Sequence, residues 1–145
     1  MKKVFYAEAN YSEEEIKSVL DVLNNNRLAL MCGQNVKKLE DKIAKIFNKE
    51  FGLMTNSGSS ANLIGVQSLH LEKGSKVITP ALTFSTTVSP LVQSGLIPLF
   101  IDVEKETMQM NTSLLKEISL EGVSAICVPN LIGNVANWEE IYHFA

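Results

Sequence analysis

Residues 51–80 read FGLMTNSGSSANLIGVQSLHLEKGSKVITP. Phe51 to Thr55 is a short apolar run, predicted as a strand. Asn56-Ser57-Gly58-Ser59-Ser60 is a tight polar turn. Ala61 to Leu71 is predicted as a helix closed by Gly74, and Lys76 to Thr79 as a second strand ended by Pro80. Strand, turn, helix and strand in about 30 residues is the βαβ rhythm of a parallel sheet.

The rhythm continues downstream. Phe84 to Gln93 reads as a helix with Pro90 as a local irregularity, and Gly95 ends it. Ile97 to Val103 is a third strand, Thr112 to Ile118 a short helix, and Ser124 to Pro129 a fourth strand. Asn137-Trp138-Glu139-Glu140 opens a further helix with a capping signature. Upstream, Ser12-Glu13-Glu14-Glu15 is a capping box. Ile16, Val19, Leu20 and Leu23 follow it on one helical face. Asn24-Asn25-Asn26 ends that helix. A second amphipathic helix carries Val36, Leu39, Ile43, Ile46 and Phe47 on a stripe expected to be buried. Continuously apolar strands alternating with helices predict an α/β fold, a predominantly parallel sheet with helices on both faces. No internal repeat or linker interrupts it, so residues 1–145 read as one domain. The capped helix at the end of the sequence leads us to expect a longer natural polypeptide.

Composition narrows the function. The 145 residues are 46% hydrophobic and 20% charged, with a net charge of −3 and no basic block, which argues against nucleic acid as a partner. No apolar run approaches the roughly 20 residues of a membrane span. Met1-Lys2-Lys3 leads into polar residues rather than a signal peptide. Cys32 and Cys127 have no CxxC neighbour, and His70 and His143 lack ligand spacing, so no metal site is expected. The two thiols read as reduced, in a cytoplasmic protein.

The segment Asn56-Ser57-Gly58-Ser59-Ser60-Ala61 sits between a predicted strand and a predicted helix. Small residues allow close backbone approach. The first N–H groups of a helix are unpaired, and the helix dipole adds positive charge there. Gly58, Ser59 and Ser60 are therefore candidate ligands for a phosphate. A plain capped turn is the alternative. The segment is neither a Walker loop nor GxGxxG. Ligands of open α/β sheets gather past the carboxyl ends of strands, which also brings in Thr83-Phe84. Phe84 could lie flat on a heteroaromatic ring; ordinary core packing is the alternative.

Four pieces, in order, carry a family resemblance over almost the whole chain. Gly33-Gln34-Asn35-Val36-Lys37-Lys38-Leu39-Glu40 comes first, then Asn56-Ser57-Gly58-Ser59-Ser60-Ala61-Asn62-Leu63. Gly74-Ser75-Lys76-Val77-Ile78-Thr79-Pro80 follows with Thr83-Phe84, and then Gly95-Leu96-Ile97-Pro98-Leu99-Phe100-Ile101-Asp102-Val103. Together they resemble the DegT/DnrJ/EryC1/StrS-type family of enzymes that use pyridoxal 5'-phosphate (PLP) to aminate or dehydrate nucleotide-linked keto-sugars. The Ser-Gly-Ser-Ser-Ala-Asn-Leu and Gly-Leu-Ile-Pro wording is especially similar to the 3-dehydratase branch, which uses histidine where aminotransferases use a Schiff-base lysine. One departure is Asn130, where the family commonly has histidine.

The resemblance implies a PLP-dependent transferase fold of type I, with residues 1–145 as the N-terminal part of its large domain. It implies that Gly58, Ser59 and Ser60 hold the PLP phosphate, that Phe84 stacks on the pyridine ring, and that the assembly is a homodimer acting on a nucleotide sugar. In the family, the aspartate facing the pyridine nitrogen and the catalytic lysine or histidine lie further along. No residue here is therefore assigned as catalytic, and the chain alone is expected to be inactive. Two other readings stay open: a truncated homologue serving as a binding or dimerisation module, and an unrelated phosphate-binding α/β protein.

Overall fold

The computed structural model describes residues 3–5 and 7–145. They form two compact units, Met1–Met54 and Thr55–Ala145. The first unit holds two helices, α1 (Glu13–Asn25) and α2 (Gln34–Ile46), joined through a 3-10 turn at Arg27–Ala29. The capping box forms as expected. The Glu14 N–H donates to Ser12 Oγ at 3.2 Å, and the Ser12 N–H donates to the Glu15 carboxylate at 2.6 Å. The Ser12 hydroxyl and N–H hold the Glu15 carboxyl below its usual range.

The apolar stripes of this unit fall at helical spacing but stay largely exposed. Val19, Leu20 and Leu23 keep 50–59% of their surface, and Ile46 and Phe47 about 70%. Ala44 is the buried residue of α2. The expectation that Leu39, Ile43, Ile46 and Phe47 are buried is thus corrected: two helices offer too little opposing surface to cover both stripes.

Residues 51–55 do not form the predicted strand. Among the described residues they belong to no helix or strand. The Met54 N–H donates at 2.8 Å to the Glu40 carboxylate of α2 rather than to a sheet neighbour.

The second unit is built on three parallel strands, β1 (Lys76–Pro80), β2 (Ile97–Ile101) and β3 (Val123–Ile126), in the order β2-β1-β3. Lys76 pairs with Ile97 and with Val123, and a bulge admits an extra residue before Val77 meets Ala125. β1 is central, which accounts for its continuous apolar run: Val77, Ile78 and Thr79 are at most 1% exposed. Its side chains alternate between faces. Val77 packs with Leu91, Leu96 and Val66 under α3 (Gly58–Ser68) and α4 (Ser85–Gln93). Ile78 packs with Ile101, Met110, Leu115 and Ile141, under a 3-10 segment (Thr112–Glu117) and α5 (Trp138–Phe144). Helical elements therefore cover both faces of a parallel sheet, as predicted. Each fully buried aliphatic side chain such as Ile78 or Leu91 is worth about 1.5–3 kcal/mol.

The remaining boundaries shift for local reasons. α3 begins inside the polar turn, at Gly58, because Ser57 caps it. β2 stops at Ile101, where the Val103 N–H turns to the Asp102 carboxylate at 2.8 Å. β3 ends at Ile126, although the Cys127 N–H still reaches the Ile78 carbonyl at 2.8 Å.

Candidate functional site

The polar segment 56–60 becomes a helix N-terminus because serine at position 57 supplies what that backbone lacks. Ser57 is extended, and its Oγ accepts from the Ser60 N–H at 3.1 Å while donating to Ser60 Oγ at 3.1 Å. The Gly58 and Ser59 N–H groups receive no partner among the described residues. Both residues are exposed. A Cβ built on Gly58 would meet nothing within 4 Å, so no protein neighbour explains a glycine there. Two free N–H groups, the positive end of an 11-residue helix and the hydroxyls of Ser59 and Ser60 make a donor set that suits a phosphate-type anion.

Phe84 is placed by the next crossover. β1 ends at Pro80, and four residues later Phe84 is the N-cap residue of α4, with 68% of its surface exposed. It therefore stands out of the apolar core, leaving a ring face available. The two helix starts are tied together: Asn62 Nδ2, in the second turn of α3, donates to the Thr86 carbonyl in the first turn of α4 at 3.1 Å. Gly58, Ser59, Ser60 and Phe84 thus belong to neighbouring helix N-termini past the carboxyl end of β1, where open α/β sheets take ligands.

The loop after β3 is held at the same end of the sheet. Gln109 Nε2 donates to the Leu131 carbonyl at 3.0 Å, and Asn134 Nδ2 to the Thr107 carbonyl at 2.8 Å. Asn130 Oδ1 accepts from the Ala136 N–H at 3.0 Å and from Trp138 Nε1 at 3.1 Å. Asn130 thus organises its own loop. Ile132 adopts φ 53°, an unusual conformation for a β-branched residue.

The free N–H groups and the helix end give this region partial positive charge. Residues 56–62, 81–87 and 129–136 contain no titratable side chain. A largely apolar hollow between α3, α4 and the sheet is lined by Asn62, Val66, Val77, Thr87, Leu91 and Cys127, and burial pushes the Cys127 thiol up. It carries no donor set for an anion. Among the described residues no group of three His, Cys, Asp or Glu side chains could hold a metal, and no helix is long and apolar enough to cross a membrane.

Sequence reasoning missed Ser57 and Asn62. Ser57 was legible as a serine three residues before Ser60, the spacing of an N-cap. Asn62 was not, because its partner is 24 residues away.

Known proteins resemble this chain along most of its length. The GDP-4-keto-6-deoxy-D-mannose 3-dehydratase of Escherichia coli O55:H7 is 35% identical over 141 residues, which cover 93% of this chain and 36% of that protein. The dTDP-4-dehydro-2,6-dideoxy-D-glucose 3-dehydratase of Saccharopolyspora spinosa is 36% identical, over 81% of this chain and 27% of that protein. The solved structure of the E. coli GDP-4-keto-6-deoxy-D-mannose-3-dehydratase with bound hydrated PLP superimposes with a TM-score of 0.86 at 34% identity, covering 95% of this chain and 36% of that one. The chain therefore spans about a third of the length of such relatives and shares the fold of that part of them. The profile of the DegT/DnrJ/EryC1/StrS aminotransferase family matches residues 9–145, and the chain belongs to that family.

Proposed function

We propose that this chain is the cofactor-phosphate portion of a PLP-dependent enzyme acting on nucleotide-linked keto-sugars in deoxysugar or surface-polysaccharide biosynthesis. Sugar 3-dehydration is the first choice, since relatives with that activity are 35% and 36% identical; sugar amination is the alternative within the same fold. Residues 1–145 are then the N-terminal part of the large domain, working in a cytoplasmic homodimer. The exposed apolar stripes of α1 and α2 and the free thiols Cys32 and Cys127 support that setting.

The observation that carries the reading is the pairing of two free N–H groups, at Gly58 and Ser59, with an exposed aromatic ring on a helix tied to theirs. The Gly58 and Ser59 N–H groups would hold the PLP phosphate, with the Ser59 and Ser60 hydroxyls adding donors. Phe84 would lie on one face of the pyridine ring and shield it from water. When bound, PLP supplies an electron sink for removing a proton or hydroxyl from the sugar.

Titration of the protein with PLP, pyridoxal and inorganic phosphate tests this. PLP should bind most tightly, phosphate should compete with it, and pyridoxal without its phosphate should bind far more weakly. Equal affinity for PLP and pyridoxal would sink the reading.

A further inference from the structure

Pro90 is buried inside α4, at its sixth residue. Proline has no N–H, so the carbonyl four residues earlier loses its helical donor. That carbonyl belongs to Thr86, and it is the one that receives Asn62 Nδ2, at 3.1 Å. A side chain from α3 thus supplies the hydrogen bond that Pro90 removes from α4. A second tie secures the same turn, with Thr83 Oγ1 donating to Thr87 Oγ1 at 2.9 Å. The Thr86 carbonyl lies two residues from Phe84, and Asn62 lies three residues from Ser59.

We propose that Asn62 is a positioning residue for the cofactor ring: by replacing the amide missing at Pro90, it fixes the start of α4, and with it Phe84, against the start of α3. The exchange gives the site something an ordinary helix would not. With an alanine in place of the proline, the Thr86 carbonyl would be satisfied within α4, and apolar packing alone would hold the start of α4 against α3. With Pro90, α4 completes its own hydrogen bonding only when it is docked on Asn62. The phosphate donors and the ring face are then set at a fixed separation before any ligand arrives, which lowers the ordering cost of binding. This rests on the reading of Gly58, Ser59 and Phe84 as one PLP site.

The test is a double-mutant cycle of Asn62→Ala and Pro90→Ala, read by PLP affinity, by inorganic phosphate affinity, by the visible circular dichroism of bound PLP, and by thermal midpoint. With Pro90 in place, N62A should weaken PLP binding about three- to tenfold, the equivalent of one neutral hydrogen bond, and reduce the dichroism of the bound ring. Phosphate affinity should stay within about twofold, because the Gly58 and Ser59 donors are untouched. In the Pro90→Ala background the same N62A change should cost PLP binding about twofold or less, since the alanine amide now serves Thr86. Should N62A not fold, Asn62→Leu keeps the side chain's volume, removes the donor without adding a charge, and takes its place in the cycle.

Equal losses of PLP affinity in both backgrounds would overturn the proposal, as would parallel losses of PLP and phosphate affinity or no loss at all. If the wild-type protein binds PLP no more tightly than phosphate, the functional reading fails and the ring-positioning role fails with it. The thermal midpoint then still decides the exchange itself. A drop of a few degrees on N62A that disappears with P90A supports it, and the same drop in both backgrounds overturns it.

Discussion

A Cβ placed on Gly52 would stand 2.6 Å from the carbonyl oxygen of Glu40. Real Cβ atoms do not come that close to backbone, so the segment 51–54 lies against α2 only because residue 52 has no side chain. The Met54 N–H then reaches the Glu40 carboxylate two residues on. Gly52→Ala should therefore destabilise the first unit by about 1–3 kcal/mol, the usual cost of overpacking against something that cannot move. Urea unfolding followed by far-UV circular dichroism checks it. A midpoint equal to that of the wild type would mean that the segment is not docked on Glu40.

Ser57 and Ser59 should separate stability from binding. Ser57→Ala removes the cap of α3 and should cost about 1 kcal/mol of stability. Ser59 makes no hydrogen bond to the protein through its side chain among the described residues. Ser59→Ala should thus leave stability within about 0.5 kcal/mol of wild type. If its hydroxyl meets a charged phosphate, its loss should weaken phosphate binding roughly tenfold. Isothermal titration with inorganic phosphate, paired with thermal melts of both variants, gives the two readouts. Unchanged phosphate affinity in S59A would move the cradle elsewhere.

Much of this arrangement is legible in the sequence because it is local. Val77 and Ile78 stand at the centre of a buried middle strand, and the run 97–101 is apolar as a sheet strand should be, although Ile97 and Phe100 on that edge strand stay about half exposed. Ser12 and Glu15 form their box from spacing alone, and the small polar run 56–60 marks a helix start. Residues 51–55 show the limit of that reasoning. Their composition matches a buried strand, but whether an extended segment pairs depends on a neighbour that local pattern cannot name, and here Glu40 took the Met54 amide. Asn62 shows the same limit from the other side. Pro90 signals that the Thr86 carbonyl needs a donor, but only the packing of α3 on α4 says which residue provides it.

Cys127 gives a pH signature. Partial burial among Val77, Leu91 and Leu96 raises its thiol above the ordinary value of about 8.5. A raised folded-state pKa means that the unfolded chain loses its proton first as pH rises. The associated stability is complete below about 8.5 and is lost as pH climbs through the folded value. The urea midpoint of the wild type should therefore fall more steeply between pH 8 and pH 10 than that of Cys127→Ala. Parallel profiles would show that the thiol is not shielded.

Self-association should run through the exposed helical stripes of the first unit. Val19, Leu20 and Leu23 put three half-exposed aliphatic side chains on one face of α1. Exposed apolar area of that kind favours pairing with a second copy. Sedimentation velocity should show a dimer that Leu20→Glu with Leu23→Glu converts to monomer. A wild-type protein that stays monomeric at high concentration would count against the homodimer.

Residues 1–145 by themselves should bind PLP but not turn over a nucleotide sugar. The three segments that follow the carboxyl side of the site, 56–62, 81–87 and 129–136, carry hydroxyls, amides and one aromatic ring but no group that titrates near neutrality. Such groups can bind, orient and shield; they cannot take up and return a proton, a contribution worth about 10²- to 10⁴-fold in rate. The lysines of the second unit do not fill the gap. Lys73 and Lys76 precede or begin β1, and the site lies past its other end, roughly 13 Å away at 3.3 Å per strand residue. Lys76 is moreover engaged with the Glu121 carbonyl at 2.9 Å. Lys105 and Lys116 are exposed. Borohydride treatment of the PLP-loaded chain, followed by peptide mapping, should therefore give weak labelling spread over several exposed lysines. Turnover assays with a GDP- or dTDP-linked 4-keto-sugar should stay at the background rate. Stoichiometric labelling of one lysine within residues 1–145, accompanied by turnover, would place the proton-transfer machinery inside this chain and refute the division of labour argued from its loops. Extending the chain to the length of its relatives should add the missing acid–base group. Activity should then appear without any change in the phosphate affinity set by Gly58 and Ser59.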